Sequence, residues 1–187
     1  MSDVSLSIYS LLFCELVCYL QTNVASGDEL MDKLDAVGYP IGCKLIEATI
    51  HKHLKGKRPI RHAAALQAVI KAWKVYFGRT VVLMHAMSGN EKKPFEYIIK
   101  DANPLVSTYY SVPVKREGDR DLRDANGVER LRVTSFMSGA LRGMLTTLGF
   151  PCTVRSGHKP LPEAPQQTLF QVTFDTSVRD RESQLPS

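Results

Sequence analysis

"VTSFMSGALRGMLTTLGFP", residues 133–151, reads as a helix with two different faces and a defined end. At 100° per residue, Ala140, Met137, Met144, Leu148, Leu141 and Leu145 gather on one apolar face. Gly139 and Gly143 stack one turn apart on another. Inside a lipid-spanning segment such a Gly-x-x-x-Gly pair is a dimer motif. Here it predicts close backbone packing against a sheet or a neighbouring helix. Gly149 ends the helix and Pro151 prevents its continuation.

Downstream, "CTVRSG" and "TLFQVTF" read as a strand pair around the Pro-rich loop "HKPLPEAPQQ". Residues 176–187 are expected to form a flexible tail. Upstream, "KREGDRDLRDANGVERLR" (115–132) is dense in charges of both signs and reads as an exposed, mobile insertion. Before it, "FEYIIK" (95–100) and "YYSVPV" (109–114) have strand composition, and Asn103-Pro104 marks a turn or a single helical turn between them.

The first half reads as helices. One is expected from about Ser7 to Val24, where Ile8, Tyr9, Leu12, Phe13, Leu16, Val17, Tyr19, Leu20 and Val24 cover roughly half the circumference. That is wider than the about 100° stripe that faces a single core, so this helix is expected to pack on two sides. A second helix, "SGDELMDKLDAVGYP", has Ser26 and Glu29 at capping-box spacing and Gly38 as its end before Pro40. A third, "PIGCKLIEATIHKHL", starts at Pro40, with Gly42 allowing close helix contact. A fourth spans 62–77, with Leu66, Val69, Ile70, Trp73, Tyr76 and Phe77 on one side. Trp73 is read as a core anchor. Helices first and strands later make an α+β domain, with helices on one face of a small twisted antiparallel sheet. The whole chain, 1–187, is taken as one domain.

Composition agrees with a globular protein: 187 residues, 44% hydrophobic and 23% charged, enough for one core without disulfides or metal. "LLFCELVCYL" is broken by Glu15 and is far short of the roughly 18 apolar residues of a membrane span. Four cysteines without a Cys-x-x-Cys pair suit reduced thiols, and the chain is expected in the cytosol. Cys14 and Cys18 are read as small buried or half-buried thiols.

Charge is distributed unevenly. Between Glu47 and Glu91 no acidic residue occurs, and eight Lys or Arg there exceed the +5 of the whole chain, so the remainder is net acidic. The densest part is "HKHLKGKRPIRH" (51–62). As a metal site it is poor, because His51 and His53 lie on different helix faces and His62 stands across a loop. As a nucleic-acid contact it lacks stacking aromatics, and no nucleic-acid-binding motif occurs elsewhere. Lys52, Lys55, Lys57, Arg58 and Arg61 suit contact with an anionic membrane or acidic partner, against the plainer reading of a solvated connector. No nucleophile elbow, phosphate loop, zinc-protease motif or dinucleotide fingerprint occurs. Neither a catalytic residue nor a cofactor or metal is expected.

The order of motifs resembles the small adaptor-like subunits of the trafficking protein particle complex (TRAPP), most closely the branch of subunit five. The resemblance is carried by "SLSIYSLLFCELVCYLQ", "MDKLDAVGYPIGCKLIE", "KAWKVYFGR", "YIIKDANPLVSTYYSVP", "SFMSGALRGMLTTLGFPCTV" and "TLFQVTF", from about Ser5 to Asp175. It implies the α/β plait of that family and a non-catalytic scaffold in a tether that is an exchange factor for a Rab GTPase in endoplasmic reticulum to Golgi transport. The implied partners are sister small subunits, or a second copy for the isolated chain, with the Rab GTPase met through the complex. The implied location is cytoplasmic, peripheral on Golgi and endoplasmic reticulum membranes. Family subunits pair through their first helices, which assigns Leu12, Leu16 and Leu20 to a partner. A sister subunit carries a lipid-modified cysteine after its third helix, whereas "LKGKRPIRH" here has none. The alternative reading is a small-molecule or acyl-binding regulatory domain of the same fold.

Overall fold

The computed structural model describes residues 5–88, 91–108, 133–159 and 161–185. In chain order they form α1 (Leu6–Thr22), α2 (Gly27–His53), α3 (His62–Phe77), β1 (Val82–Ser88), β2 (Glu91–Asp101), a 3₁₀ turn (Leu105–Ser107), α4 (Ser135–Thr147), β3 (Cys152–His158), β4 (Thr168–Phe174) and α5 (Thr176–Gln184). The strands form one antiparallel sheet in the order β1-β2-β4-β3. The expected strand at 109–114 and the charged insertion at 115–132 lie outside the described residues.

Glycine sets the distance between α2 and α4. A Cβ on Gly38 would stand 2.0 Å from Phe136 O, and one on Gly42 2.0 Å from Ala140 O. The contact is reciprocal, since a Cβ on Gly139 would lie 2.0 Å from Asp35 O and one on Gly143 2.1 Å from Tyr39 O. Each helix thus supplies two glycines four residues apart, and each glycine receives the backbone of the other helix. Of the two packing partners open to Gly139 and Gly143 in the sequence, the neighbouring helix is the one found. Arg142 seals the rim by pairing with Asp35 and covering the Tyr39 ring at 4.6 Å.

The same contact corrects the reading of two helices meeting at Pro40. α2 runs through Pro40 without a break. Proline removes one hydrogen bond, to the Ala36 carbonyl, and both residues are exposed, so water can satisfy that carbonyl. Close packing on α4 from Asp35 to Cys43 holds both halves in line. At the other end Ser26 caps the helix, its Oγ accepting from Glu29 N–H at 3.2 Å, and the Glu29 carboxylate reaches back one residue past the cap to accept from Ala25 N–H at 2.8 Å, a shifted form of the capping box.

The helices cover one sheet face. Tyr97 and Ile99 of β2, Phe170, Val172 and Phe174 of β4, and Cys152 of β3 point into the core with Trp73, Met137, Leu141 and Met144. Trp73 is fully buried and meets Phe77 and Phe170 edge-on at 4.8 and 5.5 Å. Its Nε1–H donates to Asp101 Oδ2 at 3.0 Å, while Asp101 Oδ1 accepts from Asn103 N–H at 3.0 Å. Burial raises the Asp101 pKa above the ordinary aspartate value, and those two hydrogen bonds pull against the rise.

Two elements were not expected. β1, "VLMHAMS", lacks clean alternation and contains poor strand formers, and pairing with β2 makes it a strand. The tail is corrected over 176–184, which form α5. Only Val178 anchors it as a buried apolar side chain, 1% exposed. Polar contacts supply the rest: Arg181 Nη1 donates to Gly149 O at 2.8 Å and its guanidinium covers the Phe150 ring at 4.2 Å. One apolar residue in nine leaves no periodicity to read.

Gly42→Ala is expected to destabilise the chain by about 3 kcal/mol, since the added methyl meets rigid backbone. Gly27→Ala, whose Cβ would meet nothing within 4 Å, is the control and stays within about 1 kcal/mol of the parent. Urea denaturation of the three proteins measures both.

Candidate subunit interface

α1 divides into two faces. Phe13, Val17 and Leu20 point inward at 5%, 1% and 9% exposure, and Phe13 meets Phe136 of α4 edge-on at 5.5 Å. Tyr9 stacks on Phe13 at 6.1 Å, and burial pushes the Tyr9 hydroxyl pKa up to about 12. Ile8, Leu11, Leu12 and Tyr19 point outward, at 63%, 69%, 70% and 69% exposure. Helical phase places these four within an arc of about 100°, with Glu15 among them. Single exposed apolar residues are ordinary, whereas four large ones aligned on one helix form a surface suited to a partner.

The three leucines assigned to a partner fall in different places. Leu12 is exposed, Leu16 is half-buried against the core, and Leu20 is buried. Steps of four residues advance about 40° each around a helix, so the series 12, 16, 20 walks from the outer face to the inner one. The exposed set is therefore Ile8, Leu11, Leu12 and Tyr19.

Lys52 lies in the last turn of α2, where cations complement the helix dipole, and Lys55, Lys57, Arg58 and Arg61 follow in the connector to α3. All five are exposed. Lys55 and Gly56 turn the chain in left-handed conformation, at φ 52° and 77°, and Gly56 N–H returns to Ile50 O at 3.0 Å. The connector is pinned from outside: Arg58 Nη1 donates to Thr147 O and Lys71 Nζ donates to His53 O, each at 3.1 Å.

The three histidines of this stretch part company. His51 and His53 are exposed, whereas His62 opens α3 against the sheet. Its Nε2 is 2.7 Å from Tyr97 Oη, Glu182 Oε1 is 2.8 Å from Nδ1, and the same carboxylate accepts from His62 N–H at 2.5 Å. Glu182 thereby serves the start of α3, whose own preceding residue Arg61 makes no side-chain cap. Its carboxyl pKa lies below the ordinary value: burial pushes it up, but the His62 hydrogen bonds and the nearby Arg61 outweigh that. The order Glu, His, Tyr has the form of an acid–base relay. Tyr97 is 6% exposed, and burial, then Glu182, raises its hydroxyl pKa; the contacts themselves tie α5 and α3 to the sheet. Sequence reasoning missed it because the partners are 35 and 120 residues away from His62.

Cys14 and Cys43 are half-buried, Cys18 is exposed, and burial pushes the Cys152 thiol up to about 12. Among the described residues no three His, Cys, Asp or Glu side chains are placed to hold a metal ion, and no helix is long and apolar enough to cross a membrane.

Residues 9–175 match the family described as "Transport protein particle (TRAPP) component", and the chain belongs to that family. Trafficking protein particle complex subunit 5 from Homo sapiens is 32% identical over 184 residues, covering 96% of this chain and 86% of its own. The Gallus gallus protein of that name is 30% identical, covering 98% and 87%, and the Dictyostelium discoideum one is 25% identical, covering 96% and 89%. In fold, the chain is similar to the crystal structure of trafficking protein particle complex subunit 3 from Naegleria fowleri covalently bound to palmitic acid. The TM-score is 0.63 at 17% identity, with 91% of this chain and 95% of that one covered.

Leu12→Asp is expected to change stability by less than about 0.5 kcal/mol, as for surface positions, whereas Leu20→Asp costs about 3 kcal/mol or more by burying a charge. Thermal unfolding of the two variants checks which face of α1 meets the core.

Proposed function

We propose that the chain is a non-catalytic scaffold subunit of the TRAPP tethering complex, which acts as a guanine-nucleotide exchange factor for a Rab GTPase in endoplasmic reticulum to Golgi vesicle transport. Membership of the family and relatives named as complex subunits support this reading. The observation that carries it is the outward apolar face of α1. Full burial of each large side chain there contributes about 1.5–3 kcal/mol. Four together offset much of the rigid-body entropy that association costs. Sister subunits are the partners; the Rab GTPase is met through the complex, and the location is cytoplasmic and peripheral on Golgi and endoplasmic reticulum membranes. The palmitic acid of the Naegleria relative forms no part of the proposal, because the connector 54–62 holds no cysteine.

Ile8→Asp combined with Leu12→Asp is expected to weaken binding to a sister subunit by about 30-fold or more, the size of one hot spot. Titration calorimetry with the purified partner measures it, and an unchanged dissociation constant sinks the α1 interface.

The basic connector adds peripheral attachment to an anionic membrane at about 1 kcal/mol per cation. Lys55 and Lys57 test this cleanly, since Arg58 also holds the end of α4. Lys55→Glu with Lys57→Glu lowers co-sedimentation of the assembled complex with phosphatidylserine vesicles, and rising salt lowers that of the parent. Indifference to both treatments leaves the connector a solvated link.

A further inference from the structure

One large apolar side chain lies off the core, off α1 and off the sheet. Ile60, in the connector between α2 and α3, is 70% exposed. The outward side chains around it are cationic, with Lys55, Lys57 and Arg58 before it and Arg61 after it, all exposed. Among the described residues Lys52, Lys55, Lys57 and Arg58 pair with no carboxylate, whereas Arg61 lies near Glu182. The connector is therefore cationic in space as well as in sequence.

Two anchors hold Ile60 in place. Arg58 Nη1 donates to Thr147 O at 3.1 Å on one side of it, and His62 N–H donates to the Glu182 carboxylate at 2.5 Å on the other. Pro59 fixes its own φ between them, so the chain has little freedom to fold Ile60 back. Ala63 and Ala64, exposed in the first turn of α3, are small and uncharged. Neither shields the isoleucine.

A bilayer suits this group better than a folded partner does. A stable protein interface buries about 800 Å² on each side around a packed apolar centre, and a single isoleucine among cations supplies no such centre. A membrane surface needs no such fit, because affinity there grows with each buried apolar group and with each cation near anionic headgroups. Long Lys side chains stay at the headgroups while a short apolar one sinks below them. The α1 interface leaves the position free. Phe13 packs on Phe136 in the first turn of α4, whereas Arg58 holds Thr147, the last residue of that helix, about 16 Å further along its axis. A sister subunit and a membrane can be held at once.

We propose that Ile60 is the membrane-inserting tip of the connector, seated at the boundary of headgroups and acyl chains in an anionic bilayer, with Lys55 and Lys57 on the lipid headgroups beside it. This deepens the peripheral-attachment reading, on which it rests, by adding an apolar contribution that salt does not screen.

The test uses the native complex purified through the tagged full-length chain, as parent, Ile60→Ser, Ile60→Leu and Lys55→Glu with Lys57→Glu. Each is sedimented with vesicles of phosphatidylserine and phosphatidylcholine at low and high salt. Ile60→Ser is expected to lower the partition coefficient about fivefold or more at both salts, the effect of withholding one apolar side chain from burial, and Ile60→Leu to keep the parent value. The lysine variant loses affinity mainly at low salt. In the isolated full-length chain, fluorescence added by Ile60→Trp should be quenched by bromine-labelled acyl chains, with the fully buried Trp73 as the unquenched reference. Parent-like partition of Ile60→Ser, equal loss in Ile60→Ser and Ile60→Leu, or no quenching with Ile60→Trp overturns the proposal. If Ile60→Ser drops a subunit from the complex, the tip serves a protein, and the proposal fails likewise. Binding lost by the lysine variant alone sinks the tip and leaves the cationic attachment standing. A parent that ignores the vesicles sinks both.

Discussion

The fold depends on how closely α2 and α4 approach. Backbone carbonyls of each helix occupy the space where the other would carry Cβ atoms, at four glycines in two pairs. A methyl at any one of them meets main chain, which cannot swing aside as a side chain can. This explains why a 27-residue helix passes through a proline without breaking. The lost hydrogen bond faces water, and the continuous contact on α4 outweighs it. It also sets where the sheet can lie, since the remaining sides of α4 hold Met137, Leu141 and Met144 in the core.

The close pair determines what α1 can do. With Phe136 presented by α4, Phe13 is drawn inward, and Val17 and Leu20 follow on the same side. Ile8, Leu11, Leu12 and Tyr19 are left on the far side. An apolar half-circumference cannot be buried by a single neighbour, so in a monomer part of it meets water. A subunit of an assembly can retain such a face because burial is completed by a partner.

Helices α1, α3 and α4 were legible because each repeats its apolar residues at the helical period, and β3 and β4 because strand-forming runs flank a Pro-rich loop. The division of α2 at Gly38 and Pro40 followed sound local rules for a helix end, and tertiary packing overrode them. β1 and α5 were missed because neither has the composition of its element: one becomes a strand by pairing, the other a helix by docking Val178, Arg181 and Glu182. The histidines of 51–62 show the same limit. Local spacing separated His51 from His53 but could not bring His62 to Tyr97 and Glu182.

By itself the sequence determined the periodic segments, the capping residues of α2, the acid-free basic stretch, the close-packing role of Gly42, Gly139 and Gly143, though not that of Gly38, and the family to which the motifs belong. These are local properties, or patterns that survive without coordinates. Only the tertiary structure decided which helix receives Gly139 and Gly143, which half of the α1 apolar face turns inward, that Leu20 is core while Leu12 is surface, and that 82–88 pair with β2 as a strand. Each of those outcomes is a contact between residues far apart in the chain. Periodicity states that a surface is apolar, and only the partners brought beside it decide whether that surface is core or interface.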